Sequence, residues 1–318
     1  MSGSGMTRYL TSRFAGMVVV MLLVATVVFF ITRLAPGDPA AIMLGDQATA
    51  ADIAKLRESY GLDKPLPVQF VYWLGELAHG NLGQSIFLQR PVTQALLERA
   101  EPTFFLTLFS ILIATAIGVP CGIIAAVWRG RTADQIFSGF AMLGASVPSF
   151  WFGLILMQVF AVGLGWFPVA GYGDPGVPLS ERLHHLVLPS IVLGVVNSAL
   201  ILRFTRASML DVLSEDHIRT ARAKGLSESR VILRHALANA LIPVITVLGL
   251  TFALLIGGAI VTETVFGLPG IGNLVVSAVL RRDYPVIQGA LLVIAGMYVL
   301  INLGIDLLYL VVDPRVKY

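Results

Sequence analysis

The sequence predicts an all-α protein that crosses a bilayer about six times, and three observations carry that prediction. Of its 318 residues, 56% are hydrophobic and only 13% charged, where an ordinary soluble domain carries about 25% charged residues. The mean hydropathy is +0.83, so such a chain cannot cover itself with polar surface in water. Six apolar runs are each long enough to cross as helix, which takes about 20 residues for ~30 Å of hydrocarbon. The short alternating segments of a membrane barrel are absent from the pattern. Lipid offers unpaired backbone groups no partner, which leaves helices as the spanning form.

The spans are expected at Leu10–Leu34, Thr103–Trp128, Ile136–Leu164, Pro189–Met209, Leu241–Thr262 and Val286–Val312. The third and sixth are long enough to tilt or to hold interfacial turns, and Pro148 and Pro189 are expected to kink or begin helices. Residues 1–34 then form an N-terminal tail and first span, 35–102 an outside loop region, and 103–318 a core of five spans. Met1 to Gly5 read as a tag remnant or a native tail. The apolar run behind them exceeds a signal-peptide core and lacks a small-residue cleavage site, so it is expected to stay as a helix.

Charge sets the orientation. With the N-terminus inside, the inner pieces hold Arg8, Arg13, Arg129, Arg131, Arg203, Arg206, Arg219, Arg222, Lys224, Arg230, Arg234, Arg315 and Lys317, and the two short outer loops only Arg182, Arg281 and Arg282. Basic residues stay on the cytoplasmic side, and long loops are exempt, so both termini are expected inside. The net charge of +3 and pI of about 9.1 follow from the same rule, and no nucleic-acid partner is inferred. Arg203 and Arg206 are expected to snorkel to the inner interface, and Glu263 and Asp306 to sit at span ends. The single cysteine, Cys121, lies in an apolar run and reads as a packed small residue.

In the outside segment, Pro36-Gly37-Asp38-Pro39 is turn chemistry, Ala48 to Tyr60 reads as an exposed helix, and Gly61 as its C-cap. Val68 to Leu77, with Phe70, Tyr72 and Trp73, is expected on the membrane surface or against the bundle. Val92, Ala95, Leu96 and Arg99 read as a short amphipathic helix leading into the second span. These pieces predict a structured extracytoplasmic cap rather than a separate domain.

The inner loop at about 210–240 carries the most chemistry. Ser214, Glu215 and Asp216 suit a helix start, Arg222 and Lys224 its end, Gly225 a left-handed C-cap, and Ser227 the cap of a second helix running toward the fifth span. The corner would present Ala221, Ala223 and Gly225, which let another protein approach the backbone, beside Arg219, Arg222 and Lys224, which steer it. Two readings remain open on physical grounds: a rigid plug that transmits force, or a basic loop that only obeys the charge rule.

The loop resembles the conserved cytoplasmic loop of ABC-importer permeases: Glu-Ala-Ala, three residues, Gly, nine residues, Ile-x-Leu-Pro. Laid on Gly225, the chain keeps Ala221 and Leu237 and departs at Arg219, Thr220, His235 and Ala238. It is closer to the peptide/nickel branch of that family. The residues that carry the resemblance are Leu34-Ala-Pro-Gly-Asp-Pro39, Tyr60-Gly-Leu-Asp63, Arg203-Phe-Thr-Arg-Ala-Ser-Met209, Arg219-Thr-Ala-Arg-Ala-Lys-Gly-Leu226, Arg234-His-Ala-Leu237, Asn239-Ala-Leu-Ile-Pro243, Val265-Phe-Gly-Leu-Pro-Gly-Ile-Gly272 and Arg282-Asp-Tyr-Pro285. The run Ile123–Trp128 is most similar to dipeptide and glutathione permeases.

The resemblance implies a type I importer permease fold in a bacterial inner (plasma) membrane. It implies a second, homologous permease subunit, two ATPase subunits carrying ATP and Mg, an extracytoplasmic solute-binding protein and a peptide-like substrate. It also makes Arg219, Thr220, Ala221, Arg222, Ala223, Lys224, Gly225, Leu226 and Ser227 the ATPase-coupling loop. The chain has no Gly-x-x-x-x-Gly-Lys-Ser/Thr phosphate loop, so it is expected to bind no cofactor and to be no enzyme itself. Ser146, Ser149, Asn197, Ser198 and Asn302 are candidates for the translocation path, with helix packing as the competing reading of each. Gly118 and Gly122, four apart, predict a close helix crossing.

The alternatives are a nickel or nickel-chelate permease and, from another class, an ion-driven secondary carrier. His184-His185 lack the i,i+4 spacing of two ligands on one helix face, and no metal site is expected. His79, His217 and His235 are isolated. A secondary carrier would show buried ionisable residues at mid-membrane and inverted repeats, and neither stands out. Gly144-Ala-Ser146 lacks a nearby base for serine-protease chemistry.

Overall fold

The computed structural model describes residues 3–34, 39–44, 48–59, 61–174 and 176–312. The start of the tail, residues 35–38 of the first turn motif, Tyr60, and the basic Arg315 and Lys317 lie outside the described residues. The order is α1 (Gly3–Leu34), α2 (Pro39–Leu44), α3 (Ala50–Ser59), α4 (Leu66–Ala78), α5 (Val92–Val127), α6 (Thr132–Ser146), α7 (Ser149–Leu156, continued as π-helix over Met157–Gly163), α8 (Leu179–His185) and α9 (Val187–Leu213). Then follow α10 (Asp216–Ala223), α11 (Glu228–Arg230, continued as π-helix over Val231–Ala236), α12 (Leu237–Val265), α13 (Ile271–Arg281) and α14 (Tyr284–Val312). A lone antiparallel bridge, Gln84 to Pro91, is the sole β pairing among the described residues.

Among the described residues, five helical stretches are long and apolar enough to cross a membrane, and six if one bent pair counts as a span. The bent pair corrects the expected third span: Thr132–Ser146 and Ser149–Gly163 meet at 101°. Proline disfavours the α region for the residue before it, and Val147 (ψ 122°) and Pro148 (ψ 129°) are both extended. The second span also differs, because the short helix expected before it is part of one continuous 36-residue α5 with Pro102 and Pro120 inside. The fifth begins earlier than Leu241, as Glu228–Val265 is one apolar stretch of 38 residues.

The chain divides into two compact units: the described parts of 1–101 with 273–300, and those of 102–272 with 301–317. In the first, α4 turns its aromatic face to α1. Phe29, fully buried, has Phe70 at 5.2 Å and Trp73 at 5.4 Å between ring centroids. Val71 and Tyr72 stay exposed, so α4 is both a packing and a surface helix. Buried Gln288 Nε2 donates to Thr32 Oγ1 at 2.6 Å, tying α14 to α1. The carboxylate of buried Asp283 clasps the loop before α5, accepting from Ser85 Oγ at 2.5 Å and from the Ile86 and Phe87 N–H groups at 3.2 Å.

The second unit is built around α9, which packs on α6, α7 and α12. Glycine permits the closest approaches. A Cβ on Gly118 would lie 2.7 Å from Ile201 Cβ, one on Gly122 2.7 Å from the Leu202 carbonyl oxygen, and one on Gly194 2.6 Å from Ile113 Cγ2. The close crossing predicted from Gly118 and Gly122 is thus the α5–α9 contact. Leu106, Leu186, Leu193, Leu255, Phe266 and Leu268 form the main apolar cluster. Glu263 sits in the last turn of α12, at a span end as expected, and is fully buried within the protein. Thr103 Oγ1 donates to its carboxylate at 2.6 Å and accepts the Ile271 N–H at 2.9 Å. The turn after α12 folds back over the carboxylate, with Gly270 against it. Asp306 is half-buried.

Candidate functional site: the corner between α9 and α12

Two apolar side chains explain why α10 stays attached to the spans. Ile218 and Ala221 lie three residues apart, on one helix face, and both are buried. They join Ala126 of α5, Met209 and Val212 of α9, and Val231, Ala236 and Ala240 of the segment leading into α12. The corner is therefore seated on the ends of three membrane helices.

The helix ends as the sequence predicts, through a Schellman pair. The Gly225 N–H donates to Arg222 O at 2.9 Å and the Leu226 N–H to Ala221 O at 3.4 Å, and Gly225 has φ +76°, a conformation that suits glycine. Arg222 then reaches forward to Glu228, Nε to Oε1 at 2.7 Å and Nη2 to Oε2 at 3.3 Å, bracing the corner from its exposed side.

The capping differs from expectation at both serines. Glu215 occupies the N-cap position of α10, and the Ser214 hydroxyl donates to Asp211 O at the end of α9. Ser227 holds the N-cap position of α11 without a side-chain capping bond. One presented residue is also corrected, since Ala221 faces the core. The outward face consists of Arg219, Thr220, Arg222, Ala223, Lys224, Gly225 and Ser227, with Leu226 half-buried. A Cβ placed on Gly225 would meet nothing within 4 Å, so the glycine opens to the outside. Arg219 pairs with Asp216 at 3.3 Å and His217 with Glu215 at 2.9 Å.

The path candidates differ in exposure and in the bonds they make. Ser146 is exposed and donates to Met142 O, Asn197 is half-buried and donates to Leu193 O, and Ser198 is buried and donates to Val195 O. Ser149 and Asn302 are half-buried. Ser198 lies at the α5–α9 crossing, where its carbonyl oxygen would stand 2.8 Å from a Cβ on Gly118. The paired histidines point to separate neighbours: His184 packs on Phe167 at 5.4 Å, and His185 Nδ1 bonds Gly171 O at 3.1 Å.

Sequence reasoning missed the ionic contact of Arg206. Arg206 does not simply snorkel. Its Nε and Nη2 donate to Asp134 Oδ1 and Oδ2 at 2.7 and 2.9 Å, and Asp134 also accepts the Gly130 N–H at 2.9 Å. The partners stand 72 positions apart, so no short spacing announces them.

Residues 118–318 match the family described as binding-protein-dependent transport system inner membrane component, and residues 6–107 match its N-terminal counterpart. The chain belongs to that family. It is 46% identical over 310 residues to a probable peptide ABC transporter permease of Sinorhizobium fredii, covering 98% of this chain and 99% of the relative. Over 313 residues it is 46% identical to a glutathione transport system permease of Pectobacterium atrosepticum, covering 98% of this chain and all of the relative. Among solved structures, an inward-facing MetNI methionine ABC transporter superposes with a TM-score of 0.58 at 19% identity, covering 69% of this chain and 97% of the other. That likeness establishes the fold: a polytopic all-α permease of the type I importer class. The chain is a multi-pass inner membrane protein.

Proposed function

We propose that this chain is the membrane-spanning permease subunit of an ATP-driven importer for short peptides or peptide-like solutes, handed over by an extracytoplasmic binding protein. It works beside a second, homologous permease, and two partner ATPase subunits bind ATP and Mg and perform the hydrolysis. The observation that carries the reading is the α10 corner, seated by Ile218 and Ala221 on the ends of three spans and turned outward through Arg219, Arg222, Ala223, Lys224 and Gly225.

Such a corner suits coupling because its inner face cannot shift without shifting the spans. Small residues at Ala223 and Gly225 leave room for a partner's surface, and the basic side chains favour an acidic groove. Transport then follows as alternating access: nucleotide-driven closure of the ATPases moves the corners, and packed helices rock between two arrangements. The work requires that the corner bind the two ATPase states with different affinity. The peptide-type relatives and the divergent surroundings of His184 and His185 support a peptide-like cargo over nickel.

The test is reconstitution. The chain with its partner permease, ATPases and binding protein in proteoliposomes should take up dipeptide only with ATP present. Solute movement by the isolated chain without nucleotide overturns the reading.

A further inference from the structure

The first unit holds a mixed-charge cavity that the coupling mechanism does not use. Its volume is about 450 Å³, and Arg33, Glu58, Lys64, Tyr72, Trp73 and Glu76 are among the residues that line it. Small-molecule sites run from roughly 300 to 1,000 Å³. It lies at the end of α1 that the charge distribution makes extracytoplasmic.

The cavity is built rather than incidental. Gln69, Tyr72, Trp73 and Glu76 follow the i, i+3, i+4, i+7 spacing, so one face of α4 supplies a whole wall. Gln69 Nε2 donates to Leu62 O at 3.2 Å and Lys64 O at 2.8 Å, which pins the loop that carries Lys64. Its buried Oε1 has no donor among the described residues. The Arg33 guanidinium stands 5.3 Å above the buried Phe29 ring, and Trp73 packs on the same ring. Asn81 Nδ2 donates to Glu76 Oε2 at 2.6 Å, while Asn81 Oδ1 accepts the Gly83 N–H at 2.9 Å.

Two cations and two carboxylates thus share one concavity without closing on each other. Among the described residues Arg33, Lys64 and Glu58 form no ion pair, and Glu76 bonds a neutral amide. Opposite charges held apart beside an aromatic wall complement a small molecule with an ammonium at one end and a carboxylate at the other. We propose that this cavity binds a short zwitterionic peptide, its carboxylate toward Arg33 and Lys64, its ammonium toward Glu58 and Glu76, and its body against Tyr72 and Trp73. The inference rests on the peptide-type reading above for its choice of ligand.

The experiment uses the complete transporter in nanodiscs of phosphatidylglycerol, whose headgroup has no ammonium, without binding protein, titrated calorimetrically with alanyl-alanine and with its N-acetyl, C-amide form. Saturable binding of the free dipeptide alone, weakened tenfold or more by Lys64→Gln and by Glu58→Gln, is the expected result. Both substitutions are at exposed positions, where folding should stay intact. Absent binding, equal binding of the blocked peptide, or unchanged affinity in both variants overturns the proposal. A zwitterionic lipid headgroup offers the same two charges, so the titration is repeated with phosphatidylethanolamine. Binding that persists supports a solute site, and binding that disappears assigns the cavity to lipid and overturns it. Failure of the peptide-type reading itself would appear as absent dipeptide uptake by the wild-type transporter with its binding protein, whereas failure of this inference leaves that uptake intact.

Discussion

Arg206 of α9 grips Asp134 of α6 with two hydrogen bonds, at 2.7 and 2.9 Å, on a helix that runs within a few residues into the α10 corner. The Asp134 side chain is 8% exposed and that of Arg206 30%, so the pair is partly desolvated and held in fork geometry. It fastens the first half of the bent α6–α7 span to the helix that carries the corner.

Removing one partner leaves the other charge uncompensated, which costs about 3 kcal/mol where burial is substantial. Asp134→Ala should therefore lower the unfolding temperature in detergent and reduce coupled transport. The double variant Asp134→Ala/Arg206→Met should be more stable than Asp134→Ala alone, because it removes the orphaned charge as well. Additive losses in thermal unfolding would show that the pair is not coupled.

Substitution at Gly225 separates backbone strain from partner contact. Gly225→Val places a β-branched residue at φ +76°, costing about 1–2 kcal/mol. Gly225→Asn tolerates that conformation far better yet adds comparable bulk in the open space around the glycine. Both variants should insert normally and lose solute-stimulated ATP hydrolysis by tenfold or more. If Gly225→Asn keeps wild-type stimulation, the corner does not seat against the ATPase through this residue.

Much of this was legible in the sequence because membrane spans and helix caps are local signals. Five runs of apolar residues mapped onto five helices, and Gly225 appeared where a C-cap should be, with the Schellman bonds to match. The errors came where tertiary contacts override local rules. Glu263 lies at a span end as expected, but nothing local announced that the turn through Gly270 would fold over it. Ala221 looked presented, but helical spacing places it with Ile218 on the buried face. Arg206 read as a snorkelling cation, because nothing near it in sequence marks Asp134 as its partner. Ser214 preceded two acidic residues, yet its hydroxyl closes α9 instead of opening α10.

Glycines at helix crossings should respond according to what an added methyl group meets. On Gly118 it meets Ile201 Cβ at 2.7 Å and the Ser198 carbonyl oxygen at 2.8 Å, whereas on Gly139 it meets nothing within 4 Å. Gly118→Ala should cost about 1–3 kcal/mol through overpacking. Gly139→Ala should be neutral or stabilising, since alanine favours helix by up to about 1 kcal/mol over glycine. Thermal unfolding of both variants checks the pair. Equal effects would mean that the α5–α9 approach is looser than the contacts indicate.

The buried carboxylate of Glu263 and the bare backbone of Gly270 occupy the space that either could fill alone. An alanine at 270 would drive its Cβ into the Glu263 carboxylate, pushing it off the Thr103 hydroxyl that it accepts at 2.6 Å. Gly270→Ala should therefore destabilise by about 1–3 kcal/mol. Glu263→Ala should cost a similar amount by removing the 2.6 Å bond from Thr103 and opening a void. In the double variant the new methyl group at 270 enters room that the carboxylate has left. The two losses should then fall short of their sum by about 0.5–3 kcal/mol, as contacting sites do. The check is an unfolding cycle over wild type, the two single variants and the double variant in one detergent. Strict additivity would mean that Glu263 and Gly270 do not share this space, and the glycine would then owe its place to the turn alone.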